Sequence, residues 1–267
     1  MRTSRGWEHA PITINVLGLL EIAENGVRFD IQGEKLRTII AMLATGSDLT
    51  VPRDQLIDEL WGDSPPTNPT NALQAHIARI RRLLRYRLRW SAPDSILRTT
   101  GTGYMLALPE QAVDAHCFLR LADEGARPGT PPARTIDLLE RALSLWRGPA
   151  LVDTGDGPCC RSIAFRLDST RVLTQENLID AKLALGRHQD LVPELEQLTA
   201  QNPLRERFAD QLMRALYRCG RQADALAAYQ RTRQRLNREL GIDPSPILQA
   251  RIREILNQDP SLIDVVG

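Results

Sequence analysis

The apolar residues of the first 45 positions change from a two-residue period to a helical one. Apolar and other side chains alternate over residues 12–16, and again over residues 27–31 after Asn25-Gly26. This pattern predicts a small antiparallel sheet with a hairpin turn. The segment from Gly33 to Ala44 then predicts a helix. Its inward residues are Leu36, Ile39, Ile40 and Leu43.

Helical spacing continues in two further segments, and a hairpin pattern follows them. The first segment runs from Pro52 to Trp61. The second begins at Asn68-Pro69, which is typical of an N-cap followed by proline at the first helical position. Its apolar positions, Leu73, Ile77, Ile80 and Leu84, share one face. Residues 96–106 predict two short strands around a Gly-containing turn, and helix, connection, helix, hairpin is the order of a winged helix-turn-helix.

The helix that begins at Asn68-Pro69 would be the recognition helix of such a fold, and the side chains outside its apolar face are suited to reading DNA. They combine hydrogen-bonding groups with alanines that let the backbone approach: Asn71, Gln74, Ala75, Ala78, Arg79 and Arg82. In a major groove, Arg pairs with guanine, Asn or Gln pairs with adenine, and a methyl group contacts thymine. The alternative interpretation is a solvated basic face on an ordinary core helix.

Charge is unevenly distributed along a chain whose formal net charge is only +1. Residues 68–103 carry seven arginines against Asp94 alone, whereas residues 8–63 carry four basic and ten acidic side chains. Phosphate binding requires such a local positive field. Over residues 85–90, arginines alternate with Tyr86, Leu88 and Trp90. This segment either prolongs the helix along the DNA backbone or forms a basic loop before the hairpin.

Beyond Pro109-Glu110 the patterns are helical. They predict helices over Asp114–Glu124, Ala133–Arg147, Ser162–Leu185 and Pro246–Leu256. Between the second and third of these, the stretch from Val152 to Pro158 predicts a loop, because it is too Gly-rich to pack regularly.

An internal repeat lies in the last third of the chain. Leu185-Gly186-Arg187 and Cys219-Gly220-Arg221 are 34 residues apart, which is the period of a tetratricopeptide unit. Pro203 is predicted to start a helix, and Pro193 to lie in the first turn of another, where backbone N–H groups lack helical partners.

The chain of 267 residues is therefore expected to be mainly α and to contain two domains. Residues 12–109 are expected to form an α+β winged helix with an N-terminal antiparallel sheet and a C-terminal hairpin wing. Residues 110–258 are expected to form an all-α, tetratricopeptide-like domain. Residues 1–11 are predicted to be disordered, and residues 259–267 to form a tail.

The motifs of both predicted domains resemble those of a known family. The first domain resembles the OmpR-type DNA-binding domain, through Leu60-Trp61-Gly62-Asp63-Ser64-Pro65-Pro66, Ala75-His76-Ile77-Ala78-Arg79-Ile80-Arg81-Arg82-Leu83-Leu84 and Gly101-Thr102-Gly103-Tyr104. The second resembles the bacterial transcriptional activator domain, through Arg205-Glu206-Arg207, Ala215-Leu216-Tyr217-Arg218, Gly220-Arg221-Gln222-Ala223 and Glu239-Leu240-Gly241-Ile242-Asp243-Pro244. From about Ile12 to about Leu256, the chain resembles the Streptomyces antibiotic regulatory proteins, which activate secondary-metabolite gene clusters of actinobacteria.

The resemblance implies a sequence-specific transcriptional activator of an antibiotic biosynthetic gene cluster. It implies binding to double-stranded DNA at direct repeats near the promoter −35 region, with protomers self-associating side by side. Half-sites would then lie about one helical turn apart, roughly 10–11 bp. RNA polymerase holoenzyme, including its sigma factor, is the implied protein partner. Regulation by abundance, a partner or a ligand is expected, rather than by a receiver domain.

Roles for individual side chains follow from the resemblance and from the helix pattern. Base-edge reading is expected from Asn71, Gln74, Ala75, Arg79 and Arg82. Phosphate or minor-groove positioning is expected from His76 and Arg81 and, in the wing, from Arg98, Thr100 and Thr102. Many OmpR-type proteins carry arginine at the position of Thr100, so Arg98 is expected to carry more of the wing contact.

The connection before the recognition helix is a further candidate site. In OmpR-type activators this loop contacts RNA polymerase, and here it comprises Gly62, Asp63, Ser64, Pro65 and Pro66. The alternative is a turn that only spaces the two helices.

Catalysis, metal binding and membrane insertion find little support in the sequence. No HExxH motif, nucleophile elbow or P-loop is present, and the four cysteines lack metal-site spacing. Without a membrane-length apolar run or a signal-peptide pattern, the expected location is the cytoplasm, in association with the nucleoid, and no cofactor is expected. Two alternative functions stay open: a helical-repeat scaffold whose winged helix serves protein contacts, and a repressor that uses the same DNA-binding domain.

Overall fold

The computed structural model describes residues 12–46, 49–87, 96–259 and 262. The predicted disordered start, most of the predicted C-terminal tail and residues 88–95 lie outside the described residues. The chain divides into two compact units. The first combines the residues up to Glu124 with Arg141–Val172, and the second combines Gly125–Glu140 with the residues from Leu173 onward. Within the described ranges, no helix has the length and apolar character that crossing a membrane requires.

The first unit opens with the predicted antiparallel sheet, which has three strands. These are β1 (Ile12–Asn15), β2 (Glu21–Glu24) and β3 (Val27–Asp30), in that order. The predicted hairpin joins β2 to β3, with Asn25 and Gly26 both at positive φ. The middle strand was missed because its two buried residues are adjacent and flanked by glutamates, so they do not alternate.

Three helices and a second sheet complete the winged helix. The helices are α1 (Glu34–Thr45), α2 (Arg53–Trp61) and α3 (Pro69–Arg87). The sheet has the order β4-β6-β5, formed by Val51–Pro52, Gly103–Leu106 and Leu97–Thr99. The winged helix-turn-helix prediction is confirmed, although the two-residue strand β4 is too short to leave a sequence pattern.

The helices that follow differ from the predicted ones at their ends. After a 3-10 turn at Glu110–Ala112 come α4 (Asp114–Ala126), α5 (Pro132–Leu143) and α6 (Pro158–Ala184). The predicted helix Ala133–Arg147 therefore ends four residues early, and α6 begins four residues before Ser162. The residues between α5 and α6 form turns that bond to the connection between β1 and β2 and to α1 of the same unit.

We define residues 147–160 as the seam, because their backbone is bonded along much of its length. The Arg147 N–H donates to the Leu17 carbonyl at 2.8 Å, and the Leu151 N–H donates to the Val16 carbonyl at 3.0 Å. Further along, the Gly155 N–H donates to Thr38 Oγ1 of α1 at 2.8 Å, while Arg37 donates to the Asp153 carbonyl. The prediction that this Gly-rich stretch forms a loop is confirmed, since residues 151–157 contain no helix or strand. The loop is nevertheless fixed by these bonds to α1.

The seam ends on a buried carboxylate of α2. Glu59, 6% exposed, accepts the N–H groups of Cys159 at 2.7 Å and of Cys160 at 2.9 Å. These N–H groups belong to the first turn of α6, where no helical acceptor exists and a negative charge is favourable. At Gly157 a Cβ atom would collide with the Glu59 carboxylate, so a larger residue there would displace this carboxylate from its two N–H partners.

A second buried carboxylate meets the other end of the seam. Asp114, at the start of α4, accepts the N–H groups of Val16 at 2.8 Å and of Leu17 at 3.1 Å. The Arg147 guanidinium lies 3.5 Å from the same carboxylate. Burial nevertheless raises the pKa of Asp114 from 3.8 to about 6, because the desolvation of the charged form outweighs these favourable contacts.

The second unit contains the predicted repeat. Its helices α7 (His188–Gln201), α8 (Glu206–Arg218), α9 (Gln222–Leu240) and α10 (Pro246–Leu256) follow the end of α6. The helices α6 and α8 end 34 residues apart, and so do the starts of α7 and α9. The left-handed glycines Gly186 and Gly220, with φ of 75° and 73°, close the two preceding helices.

Two proline predictions for this unit are wrong. Pro203 lies in a turn, and α8 begins at Glu206 instead. Pro193 lies inside α7, beyond the first turn, where its missing N–H removes a helical hydrogen bond.

Candidate nucleic-acid interface

The recognition helix α3 begins and packs as the sequence predicts. The Asn68 side chain accepts the N–H of Asn71 at 3.0 Å, and Pro69 occupies the first helical position. The apolar stripe is fully buried, with exposed fractions of 4% or less at Leu73, Ile77, Ile80 and Leu84. Because this stripe is fixed against the core, the orientation of the opposite face is fixed as well.

That opposite face is exposed and positively charged. The side chains predicted to read base edges are all exposed: Asn71, Gln74, Ala75, Arg79 and Arg82. The sequence of α3 contains five arginines and no acidic residue. The structure thus brings all five candidate residues onto one accessible surface without an acidic neighbour on the same helix.

Arg81 lies elsewhere and makes internal contacts. Its guanidinium donates to the Leu97 carbonyl at 2.8 Å and to Thr99 Oγ1 at 2.9 Å. These bonds join α3 to the first strand of the wing. Arg81 therefore fixes the wing relative to the recognition helix, and its predicted phosphate contact stays a prediction.

His76, in the first half of α3, is half-buried beside the ring of Trp61. Its ring centroid lies 6.0 Å from that of Trp61, and Lys35 Nζ lies 4.6 Å from the Trp61 ring. Burial lowers the pKa of His76 below 6.5, and the charges of Lys35 and Arg79 lower it further. These effects disfavour the charged imidazolium, so the phosphate contact predicted for His76 would rest on donation from a ring N–H to a phosphate oxygen more than on charge.

The tip of the wing is held by a residue that the sequence did not single out. Arg53, the first residue of α2, donates its backbone N–H to the Thr102 carbonyl at 3.1 Å. Its guanidinium donates to the carbonyls of Gly101 at 3.2 Å and Thr100 at 3.3 Å. No local pattern reveals this role, because the partners lie 47 and 48 residues away along the chain.

The predicted wing residues differ in accessibility. Arg98 and Thr102 are exposed, whereas Thr100 is half-buried and its hydroxyl accepts the Gly103 N–H at 3.1 Å. At Gly103 a Cβ atom would collide with the backbone of Val51, which explains the second glycine of the Gly-Thr-Gly-Tyr motif. The exposed Arg98 is therefore better placed than Thr100 to reach a ligand.

The predicted polymerase-contact loop is accessible and starts from a fixed base. Gly62, Asp63, Ser64 and Pro65 are exposed, and Pro66 is half-buried. The loop begins with Gly62 at positive φ, whose N–H donates to the Asp58 carbonyl at 2.8 Å. The Trp61 ring, which precedes the loop, lies 4.6 Å from Lys35 Nζ and 6.0 Å from the His76 ring.

The cysteines and other metal-ligating residues form no comparable site. Among the described residues, no group of three or more His, Cys, Asp or Glu side chains could hold a metal ion. The cysteines are free thiols, and burial raises the pKa of Cys160 to about 12. A thiol so far from ionisation is a poor nucleophile and a poor metal ligand at neutral pH.

Comparison with known proteins identifies both parts of the chain. Residues 32–106 match the family model described as transcriptional regulatory protein, C terminal, and residues 113–256 match the bacterial transcriptional activator domain. Transcriptional regulator RedD of Streptomyces coelicolor is 44% identical over 94% of this chain and 72% of RedD. Regulatory protein DnrI of Streptomyces peucetius is 38% identical, over 93% of each chain.

The chain belongs to the Streptomyces antibiotic regulatory protein family. It is therefore a transcriptional regulator with an OmpR-type DNA-binding domain, and DNA is its partner. A solved structure of Mycobacterium tuberculosis EmbR in complex with a low-affinity phosphopeptide has a TM-score of 0.88 and 32% identity, over 94% of this chain and 66% of EmbR. The family also includes longer proteins, since this chain spans only 25% of regulatory protein AfsR of Streptomyces coelicolor, at 36% identity.

Proposed function

We propose that this antibiotic regulatory protein activates transcription by inserting α3 into the major groove of promoter DNA. The observation that carries the proposal is the exposed, acid-free face of α3 that presents Asn71, Gln74, Ala75, Arg79 and Arg82. Arginine, asparagine and glutamine make the specific hydrogen bonds to base edges, and the alanine admits close approach. Arg98 and Thr102 of the wing then contact the neighbouring backbone or minor groove, which adds affinity rather than base specificity.

The DNA target in this proposal is a direct repeat near a promoter −35 region. Two protomers bind side by side, with half-sites about one helical turn apart, roughly 10–11 bp. The regulated promoter belongs to an antibiotic biosynthetic gene cluster. The likeness to RedD and DnrI, a transcriptional regulator and a regulatory protein of streptomycetes, supports this assignment.

The same proposal includes recruitment of RNA polymerase holoenzyme through the loop between α2 and α3. Support comes from the exposure of Asp63, Ser64 and Pro65, which directly follow α2. Exposed loops carried by a rigid scaffold are where binding residues commonly lie, which favours a contact surface over a passive spacer.

Selection from a random duplex library by the purified chain tests the DNA assignment. The experiment is repeated with Arg79→Ala and Arg82→Ala, and with Arg233→Ala as a control that removes one exposed positive charge from α9. We expect enrichment of a direct repeat, relaxed selection at one base position for each α3 variant, and an unchanged motif for the control. Each lost bidentate contact should cost about 1–3 kcal/mol of discrimination.

The salt dependence of binding separates this proposal from a protein scaffold. Neutralisation of phosphates makes the logarithm of affinity fall linearly with the logarithm of salt concentration. If no duplex is enriched at low salt, the recognition-helix assignment is wrong and the winged helix serves protein contacts.

Transcription in a purified system tests polymerase recruitment and the direction of regulation. The variant Asp63→Ala/Ser64→Ala should bind the selected duplex like the unmodified chain but lose stimulation of transcription. Equal stimulation by both proteins would remove the loop from the proposal. Inhibition of transcription by the unmodified chain would make the protein a repressor.

A further inference from the structure

A groove in the second unit lies between α7 and α9, with α8 beneath it. It encloses about 620 Å³. Glu196 and Ala200 of α7 form one wall, and Leu212 of α8 forms part of the floor. The opposite wall belongs to α9 and carries three arginines, Arg231, Arg235 and Arg238. Neither DNA contact by α3 nor the proposed polymerase contact uses this groove.

The three arginines form one continuous positive edge. Their spacing of four and three residues places them on the same face of α9, over a length of about 10 Å. All three are exposed, so their charges are available to a partner. This arginine cluster on α9 is distinct from the arginines of the recognition helix α3.

Internal acidic residues neutralise this edge only in part. Glu239 Oε1 lies 2.6 Å from Arg235 Nε and 3.2 Å from an Arg238 nitrogen, so a single carboxylate serves two guanidinium groups. Within the described residues, Arg231 is in no ion pair. Glu196, on the facing wall, is the acidic residue among those that line the groove. The groove therefore keeps a surplus of positive charge.

We propose that this groove binds an acidic polypeptide segment of a partner protein. Carboxylates of the segment would pair with Arg231, Arg235 and Arg238, since guanidinium and carboxylate groups match in a bidentate geometry. A helical segment with acidic residues three or four positions apart has the spacing of this edge. Stacked helix pairs of the tetratricopeptide type form concave surfaces that suit such a segment.

The chemistry of the other wall favours a polypeptide over a nucleic acid. Ala200 and Pro203 offer apolar surface that a phosphate backbone cannot use, whereas an aliphatic side chain of a peptide can. Glu196 would repel phosphate but can accept a hydrogen bond from a peptide amide or a lysine.

Fluorescence anisotropy with a designed probe tests the proposal on the full chain. The probe is a fluorescein-labelled 14-residue helical peptide, about four turns long, with glutamates on one edge and leucines on the other. A second probe carries glutamine in place of each glutamate. The groove variant is Arg231→Gln/Arg235→Gln/Arg238→Gln. The matched control is Arg233→Gln on the same helix, because Arg233 does not line the groove and lies 3.5 Å from Asp243.

We expect the acidic probe to bind the unmodified chain and the Arg233→Gln control with the same affinity within about twofold, while the groove variant binds about tenfold more weakly. The glutamine probe should not bind measurably. Equal affinity of the groove variant and the control would overturn the proposal. It would also be overturned if Arg79→Ala/Arg82→Ala abolished probe binding, since the peptide would then lie on α3.

A charge-exchange variant shows whether weaker binding by the groove variant is caused by misfolding. Arg231→Glu/Arg235→Glu should bind a probe that carries lysine in place of each glutamate, and the unmodified chain should not, because an unfolded variant cannot gain such specificity. Failure to gain lysine-probe binding, with the circular dichroism spectrum unchanged, would contradict a direct ion-pair contact. Loss of duplex affinity in the groove variant without loss of acidic-probe affinity would make the groove a nucleic-acid surface.

Discussion

The recognition helix and the seam use charged groups in opposite ways. On α3, the arginines on the exposed face have no acidic residue on their own helix to neutralise them. Along the seam, the carboxylates of Glu59 and Asp114 are buried at 6% and 5% exposure, and each accepts two backbone N–H groups. In the first region charge is left for a ligand, and in the second it is satisfied within the chain.

The difference shows which charged residues can be removed without disturbing the fold. An exposed arginine is solvated in the folded and in the unfolded chain, so its removal changes stability little. A buried carboxylate that accepts N–H groups leaves those donors unsatisfied when it is removed. Substitutions in the two regions should therefore affect different measurements.

Glu59→Ala is expected to have the largest effect on stability. It leaves the N–H groups of Cys159 and Cys160 without an acceptor and removes the negative charge from the start of α6. We expect the free energy of unfolding, measured by urea denaturation, to fall by about 2–4 kcal/mol.

The control is Asp58→Ala, a neighbouring exposed carboxylate of the same helix. Its effect should stay within about 0.5 kcal/mol. If both variants lost the same stability, the capping of α6 by Glu59 would not contribute to folding.

Asp114 is expected to make stability depend on pH in an unusual direction. Its pKa in the folded chain is about 6, above the value of 3.8 for an unperturbed carboxyl. Between these values the folded chain holds a proton that the unfolded chain has released, so the free energy of unfolding falls as pH rises. Ionisation of this one group lowers the free energy of unfolding by at most about 3 kcal/mol, and the full reduction is reached above pH 6.

Comparison with Asp114→Asn isolates that contribution. The stability of the unmodified chain minus that of the variant should decrease from about pH 4 to about pH 6 and then stay constant, since other titrating groups cancel. A difference that rises over the same interval would mean that the N–H groups of Val16 and Leu17, with Arg147, favour the charged form more than burial opposes it.

The two regions also differ in how well the sequence predicted them. The apolar stripe of α3, its N-cap and the wing hairpin are local patterns, so periodicity and turn chemistry were sufficient. The exposure of Asn71 and Arg79 follows directly from the burial of Leu73 and Ile77 on the other side of the same helix.

The seam could not be predicted because its contacts are remote in sequence. Glu59 bonds to residues 100 and 101 positions away, and Asp114 to residues 98 and 97 positions away. A glutamate among the polar residues of an amphipathic helix gives no sign that it will be buried. Likewise, β4 and the role of Arg53 depend on pairing with the wing, which lies about 50 residues further along.

Arg82→Ala should affect DNA binding without affecting stability. The side chain is exposed on the face of α3 that we propose to enter the major groove. We expect a loss of about 1–3 kcal/mol in affinity for the selected duplex, with a smaller loss on random duplex. Unfolding by urea should match the unmodified chain within about 0.5 kcal/mol. An equal loss on selected and random DNA would reassign Arg82 to phosphate contact.

Arg81→Ala provides the closest test, because Arg81 and Arg82 are adjacent in sequence. Arg81 donates to the Leu97 carbonyl and to Thr99 Oγ1, so its removal should lower the free energy of unfolding by about 1 kcal/mol. It should also weaken binding to the selected duplex and to random duplexes by similar factors. A loosened wing would lose contacts with the DNA backbone, while the base contacts of α3 would remain. If Arg81→Ala instead relaxed the selected motif and left stability unchanged, Arg81 would read bases, and the bonds to the wing would not constrain it when DNA is bound.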